Sequence, residues 1–261
     1  MDDKLQQMQR IHGSSVIDEV GAEELACFLY GETETAYLAA KDKRMAEVMQ
    51  TIGHVSRTLD PDLFSATAHH IIGQQVSLEA QRTVWKRMQM LLGEVTPASV
   101  AATSVEGLQG CGMTFRKAEY IHEFAQKVHT GAFDLEAVAE MNDEDAIAAL
   151  SSLRGIGTWT AEMILLFCLG RKNIFAYDDL AIQRGLRMVY HHRAIPRPLF
   201  EKYRRRFSPY CSIASLYLWE VSKGAMPELR DHAPKKKPAK GKPVKKASGT
   251  AHASRRDRSC S

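Results

Sequence analysis

Leu153-Arg154-Gly155-Ile156-Gly157-Thr158-Trp159-Thr160-Ala161 is the stretch on which the fold turns. A helical run ends near Leu153, and a second run, apolar enough to be a buried helix, extends from Ala161 to Leu169. Two glycines separated by one apolar residue let the backbone turn where side chains would clash. They also leave the first amides of the following helix pointing outward, which makes a site for a phosphate. The stretch therefore reads as helix, hairpin, helix, with an anion pocket at the second helix's N-terminus. An ordinary helix-helix turn is the bland alternative for a bare G-x-G.

Working outward, the pattern stays helical on both sides. From Glu32 onward, Met45, Val48, Met49 and Ile52 share a face before Gly53. Pro61 opens a helix over 62–72, with Phe64, Ala68, Ile71 and Ile72 facing inward, and Ser77 caps a longer one to Leu92. Thr96-Pro97, Ser104, Thr114, Asp134 and Asn142 start further helices, the last of which delivers the chain into the hairpin. Beyond it, Asp178-Asp179 precede an amphipathic helix over 180–190, and helices over 198–207 and 212–223 complete the set, with Gly224 as a stop. A short helix over 22–30 is also expected. No alternating strand pair with a tight turn occurs, so the folded part is predicted to be all-α, with roughly ten helices.

Composition narrows the class. No apolar run approaches the roughly 20 residues that span a bilayer, and nothing apolar follows a basic start at the N-terminus. Five scattered cysteines without a C-x-x-C pair read as reduced thiols, unsuited to a zinc site or a cysteine-held cluster. A cytoplasmic protein is expected, nucleoid-associated if bacterial, and with no membrane partner. The formal charge of +4 is uneven: residues 228–261 hold 11 Lys and Arg against 3 Asp and Glu, a balance of +8, which leaves −4 for residues 1–227. The basic stretch lies among Pro, Gly, Ala and Ser and is expected to be a disordered tail adding salt-sensitive affinity for a polyanion. A merely solubilising tail is the alternative. The division expected is thus an N-terminal extension (1–30), a helical domain (31–227) and the tail (228–261).

Three blocks stand out: Ile72-Gly73-Gln74-Gln75-Val76-Ser77, the hairpin, and Asp178-Asp179-Leu180-Ala181-Ile182. Singly, each has a plain reading: a polar corner, a turn, a helix N-cap. Arg116 and Lys117, in the first turn of a helix, oppose its dipole and hint that something anionic approaches.

Together, the order and spacing of the three blocks resemble the helix-hairpin-helix DNA glycosylase superfamily over about residues 30–224. Gln74-Gln75-Val76-Ser77, Arg116-Lys117-Ala118-Glu119-Tyr120, a Trp at 159 and Ser208-Pro209-Tyr210 leading to Tyr217-Leu218-Trp219 resemble its 3-methyladenine DNA glycosylase II branch. The resemblance implies a two-lobed helical fold, with one lobe from residues 60–170 and the other from the two ends of the chain. It implies a monofunctional enzyme that hydrolyses the N-glycosidic bond of alkylated purines in double-stranded DNA during base excision repair. Bifunctional members carry their Schiff-base lysine where Trp159 stands, so lyase activity is not expected. Asp179 corresponds to the family's catalytic aspartate, and one of the Asp178-Asp179 pair is expected to face solvent or cap the helix, because two buried neighbours would repel.

Trp159 is then a stacking wall for the extruded base, with Phe64, Tyr177, Tyr217 and Trp219 as further pocket residues. Gln74 or Gln75, and of the two Gln75, corresponds to the wedge that fills the vacated stack. Ser77 and the amides of Gly155, Gly157 and Thr158 are the remaining DNA contacts. No cofactor is required, although the resemblance implies a structural Na+ or K+ held by the carbonyls of Ser151, Leu153 and Ile156. A monomer is expected. The alternatives are a glycosylase for another damaged base, or a hairpin-type DNA-binding module without catalysis, in which Asp179 is only a cap.

Overall fold

Side-chain caps mark where most of the helices begin. In the computed structural model, which describes residues 27–234, the elements are α1 (Glu32–Lys41), α2 (Lys43–Ile52), α3 (Leu63–Gly73), α4 (Leu78–Leu92), α5 (Pro97–Ala101), α6 (Val105–Gly110), α7 (Phe115–His129), α8 (Leu135–Glu140), α9 (Asp143–Ser151), α10 (Thr158–Phe167), α11 (Leu180–Tyr190), α12 (Arg197–Phe207) and α13 (Cys211–Lys223). Ser77, Thr96, Ser104, Thr114, Asp134 and Asn142 each accept a hydrogen bond from an amide in the first turn that follows them. Each bond satisfies a backbone donor that the helix itself cannot.

Thirteen helices are described where about ten were expected. One reason is Asp42, whose extended backbone breaks the run that starts at Glu32, and whose carboxylate accepts from the Met45 amide to start α2 afresh. The 22–30 helix is also revised. Residues 27–30 are not helical: Cys27 pairs with Thr58 in an isolated antiparallel bridge, and the Phe28 amide donates to the Arg57 carbonyl at 2.8 Å. Residues 22–26 lie outside the described part.

The helices sort into two groups. α3 packs on α4, α7 and α10, while α5 and α6 pack on α7, and α8 and α9 lead into α10. A stacked Phe64–Phe124 pair, with ring centroids 5.0 Å apart, sits in the core of this lobe. α1 and α2 pack with α11, α12 and α13 from the other end of the chain, around Phe175, Phe200 and Phe207. α11 and α13 approach so closely at Gly185 that a Cβ there would strike the Leu218 backbone.

α10 joins the two groups at its C-terminal end, where the Phe167 ring stacks on Trp219 at 5.4 Å and the Phe167 carbonyl accepts from the Asp60 amide. The described fold continues past 227. Asp231 takes a bidentate pair of 2.7 Å bonds from Arg187 on α11, so the first residues of the compositionally basic segment pack on the domain. The rest of the tail, 235–261, lies outside the described residues.

Candidate active site

The site begins with an aspartate that caps a helix. Asp179 Oδ1 accepts from the amides of Ala181 and Ile182, at 2.9 and 2.8 Å, which starts α11. The same oxygen accepts the indole N–H of Trp219 at 3.2 Å, and Oδ2 accepts the indole N–H of Trp159 at 3.1 Å. Asp179 is completely buried. Four N–H donors on its two oxygens compensate for the hydration that a buried carboxylate loses. Asp178, next to it, is exposed, as like-charge repulsion requires of one of the pair. The cap and the catalytic assignment are therefore compatible: the cap is what aims the carboxylate at the start of α10.

The hairpin supplies the other wall. Gly155 holds φ at +87°, and a Cβ there would run into the Tyr120 ring, so glycine is required twice over. The Ile156 amide closes the turn on the Leu153 carbonyl at 3.1 Å. Gly157 caps α10 without a side-chain acceptor and is exposed, as is Thr158, so the first amides of α10 face outward. Trp159, half-buried, points its indole edge at Asp179. A side chain at position 159 thus reaches the carboxylate, in keeping with the lysine position that the resemblance implies there.

The loop between α3 and α4, where the resemblance implies a wedge, separates its two glutamines. Gln74 turns inward and donates its side-chain amide to the Gly155 carbonyl at 2.7 Å. Gln75 is exposed with φ at +57°, an uncommon backbone for a residue that is not glycine. Ser77 accepts from the Ala80 amide and opens α4.

The remaining residues expected in the pocket divide. Tyr177 is half-buried, with Arg197 over its ring at 4.8 Å and Phe200 against its edge. Trp219 is buried beneath Asp179 and acts on it through its N–H. Tyr217 is buried and accepts from the Tyr30 hydroxyl at 3.2 Å, and Phe64 belongs to the core of the α3–α10 lobe. Ser151 ends α9 with its hydroxyl buried and without a partner, and Leu153 and Ile156 follow it in the turn.

Around the hairpin stand further charged residues, of which Arg116 and Lys117 were expected near an anion. Arg154 and Arg116 both lie over the Tyr120 ring, at 5.1 and 5.7 Å, so two cations flank the exposed turn. Lys117 does something other than the anion contact expected of it: its ammonium donates to the Ile72 and Gln74 carbonyls. Glu162, one turn along α10 from Trp159, is buried, and burial pushes its carboxyl up to about 7. The nearby charges of Arg204, Asp178, Arg197 and Asp179 adjust that value. Its position, three residues after Trp159, was readable in the sequence, but its burial was not.

Comparison with known proteins places the chain in a family. Residues 68–209 match the family described as HhH-GPD superfamily base excision DNA repair protein. The DNA-3-methyladenine glycosylase 1 of Schizosaccharomyces pombe is 25% identical over 195 residues, covering 72% of this chain and 86% of the relative. A crystal structure of a DNA-3-methyladenine glycosidase from Bacillus halodurans superposes with a TM-score of 0.72 at 28% identity, over 80% of this chain and 97% of that one. A Schizosaccharomyces pombe 3-methyladenine DNA glycosylase in complex with abasic DNA gives a TM-score of 0.64 at 24% identity, over 74% and 97%, a likeness of fold. With the matched residues spanning the wedge loop, the hairpin and Asp179, the chain belongs to the HhH-GPD superfamily of base excision DNA repair proteins.

Proposed function

We propose that this protein is a monofunctional DNA glycosylase that removes alkylated purines, chiefly 3-methyladenine-like bases, and leaves an abasic site. The observation that carries the reading is the completely buried Asp179, whose two oxygens are held by the start of α11, Trp219 and Trp159. Breaking an N-glycosidic bond builds positive charge on the deoxyribose, and a fixed carboxylate in a dry site stabilises that charge without reorganising. The bonding electrons leave with the base. A purine already cationic through alkylation departs neutral, so no general acid is needed. Water, oriented by Asp179, then adds to C1′ and releases its proton to the surrounding solvent.

A base inside the duplex is out of reach of Asp179, and extrusion costs a few kcal/mol. Gln75, exposed on its strained turn, is positioned to fill the gap. The outward amides of Gly155, Gly157 and Thr158 hold a backbone phosphate, with Arg154 and Arg116 beside it. The Trp159 ring favours a cationic purine over a neutral one by about 0.5–2 kcal/mol. Tyr177 lines the same pocket. Trp219 contributes by fixing Asp179, and Tyr217 and Phe64 support the walls from the core.

A monovalent cation held by the carbonyls of Ser151, Leu153 and Ile156 fits the turn. The partnerless Ser151 hydroxyl beside them is the kind of oxygen such an ion completes. It would add positive charge near the phosphate. The protein acts as a monomer on double-stranded DNA, in the compartment that holds the DNA; among the described residues no helix is long and apolar enough to cross a membrane.

Incubation with methylated DNA, followed by chromatography of the freed bases, tests the reading. Release of 3-methyladenine is expected. Release from other damaged substrates only, or binding without any release, overturns it.

A further inference from the structure

The wedge loop and the hairpin are 81 residues apart at Gln74 and Gly155, yet one hydrogen bond joins them directly. α3 ends at Gly73, so its last carbonyls need partners from outside the helix. Lys117, half-buried on α7, places its ammonium on one of these oxygens, Ile72 at 2.7 Å, and on the carbonyl of the cap residue Gln74 at 2.5 Å. A cation at a helix C-terminus also complements the helix dipole. Gln74, whose carbonyl Lys117 holds, is the residue whose side chain reaches the Gly155 carbonyl. On the far side of Gly155 lies the Tyr120 ring, on the same helix as Lys117. The loop after α3, the hairpin and α7 are thus tied through one lysine and one glutamine.

We propose that Lys117 and Gln74 form a clasp that makes the wedge loop and the phosphate-binding hairpin one rigid unit, so that anchoring the backbone at the hairpin drives Gln75 into the duplex. Neither residue touches the reacting atoms; both are positioning residues for base extrusion. Gln75 follows Gln74 immediately and holds a backbone that few side chains adopt unaided, so release of the Gln74 carbonyl and amide frees the wedge. The inference rests on the glycosylase reading, in which a base must be extruded before it is cut.

Lys117→Met, which keeps the aliphatic stem and removes the ammonium, and Gln74→Leu test the clasp from its two sides. Single-turnover release of 3-methyladenine is measured from a paired duplex and from a single strand, where no extrusion is needed. Each variant is expected to slow release from the duplex at least tenfold, to change release from the single strand by less than twofold, and to leave affinity for undamaged duplex within twofold. The double variant is expected to lose little more than either single one, because the two residues act as a unit. Equal slowing on both substrates, unaltered release from the duplex, or fully multiplicative losses overturn the clasp. Should Lys117→Met fail to fold by circular dichroism, Gln74→Leu carries the same comparison. Failure of the wild type to release any base overturns the glycosylase reading instead. The clasp is then read from the fluorescence of 2-aminopurine paired next to an abasic-site analogue, whose unstacking on binding must fall in both variants.

Discussion

Two helices of this protein begin about twenty residues apart and handle their N-terminal amides in opposite ways. α10 starts at an exposed glycine that offers no acceptor, while α11 starts at a buried aspartate that takes two amides and two indole N–H groups. Both ends carry the same partial positive charge. The first leaves it open to an anion from outside, and the second uses it to hold an anion in place. In the function proposed, binding and chemistry thus grow from one physical feature, divided by whether the N-cap brings its own carboxylate.

Removing the charge from the closed end has the largest expected effect. Asp179→Asn keeps an oxygen for the cap but loses the negative charge facing the sugar. Base release should fall by about 10²–10³-fold or more while duplex binding in a gel-shift assay persists; an Asn variant that excises at the wild-type rate removes Asp179 from the chemistry.

Glu162 sharpens the contrast, because it is a buried carboxylate without the donors that Asp179 enjoys. Its carboxyl is raised from 4.5 to about 7, so between those values the folded protein binds a proton that the unfolded chain has lost. Stability must therefore decline as pH rises from about 4.5 to about 7 and stay lower above. Glu162→Gln removes this decline, and the variant should be more stable than wild type by about 3 kcal/mol at pH 8 but little changed at pH 4.5, measured by urea unfolding at both values.

The two hairpin glycines separate fold from binding. Gly155→Ala places a methyl against Tyr120 at positive φ and should cost about 2 kcal/mol of stability in the same assay. Gly157 has negative φ and open space around a Cβ. Gly157→Asp should cap α10, raising stability by about 1 kcal/mol, yet weaken duplex affinity about tenfold, because the new carboxylate occupies the end reserved for phosphate. If affinity is unchanged, the open end of α10 is not where DNA docks.

Much of the fold was legible because caps and glycines are local signals. Ser77, Thr96, Ser104, Thr114, Asp134 and Asn142 start their helices as their side chains imply, each within three residues of its partner. The break at Asp42 follows the same rule but was hidden by the continuous apolar face on either side of it. Within the site, Asp179, Trp159 and the hairpin were visible by resemblance to a known family. The lining was harder: Phe64, Tyr217 and Trp219 are aromatic residues at suitable places in the chain, but an aromatic on a helix face looks the same in sequence whether it meets a ligand or the core. Lys117 misled for a related reason, since a basic first turn points equally to an external anion and to carbonyls of another helix.

Sequence alone determined most of the helices, the turn at Gly155 and an N-cap at the Asp178-Asp179 pair, because each rests on the backbone and side chains of a few neighbouring residues. The tertiary structure decided what those pieces face. Trp159 and Trp219, 20 and 40 residues from Asp179, meet on its carboxylate, and Lys117 and Gly155 meet on Gln74. Such contacts depend on how buried surfaces pack across the two lobes, and no local pattern carries that information.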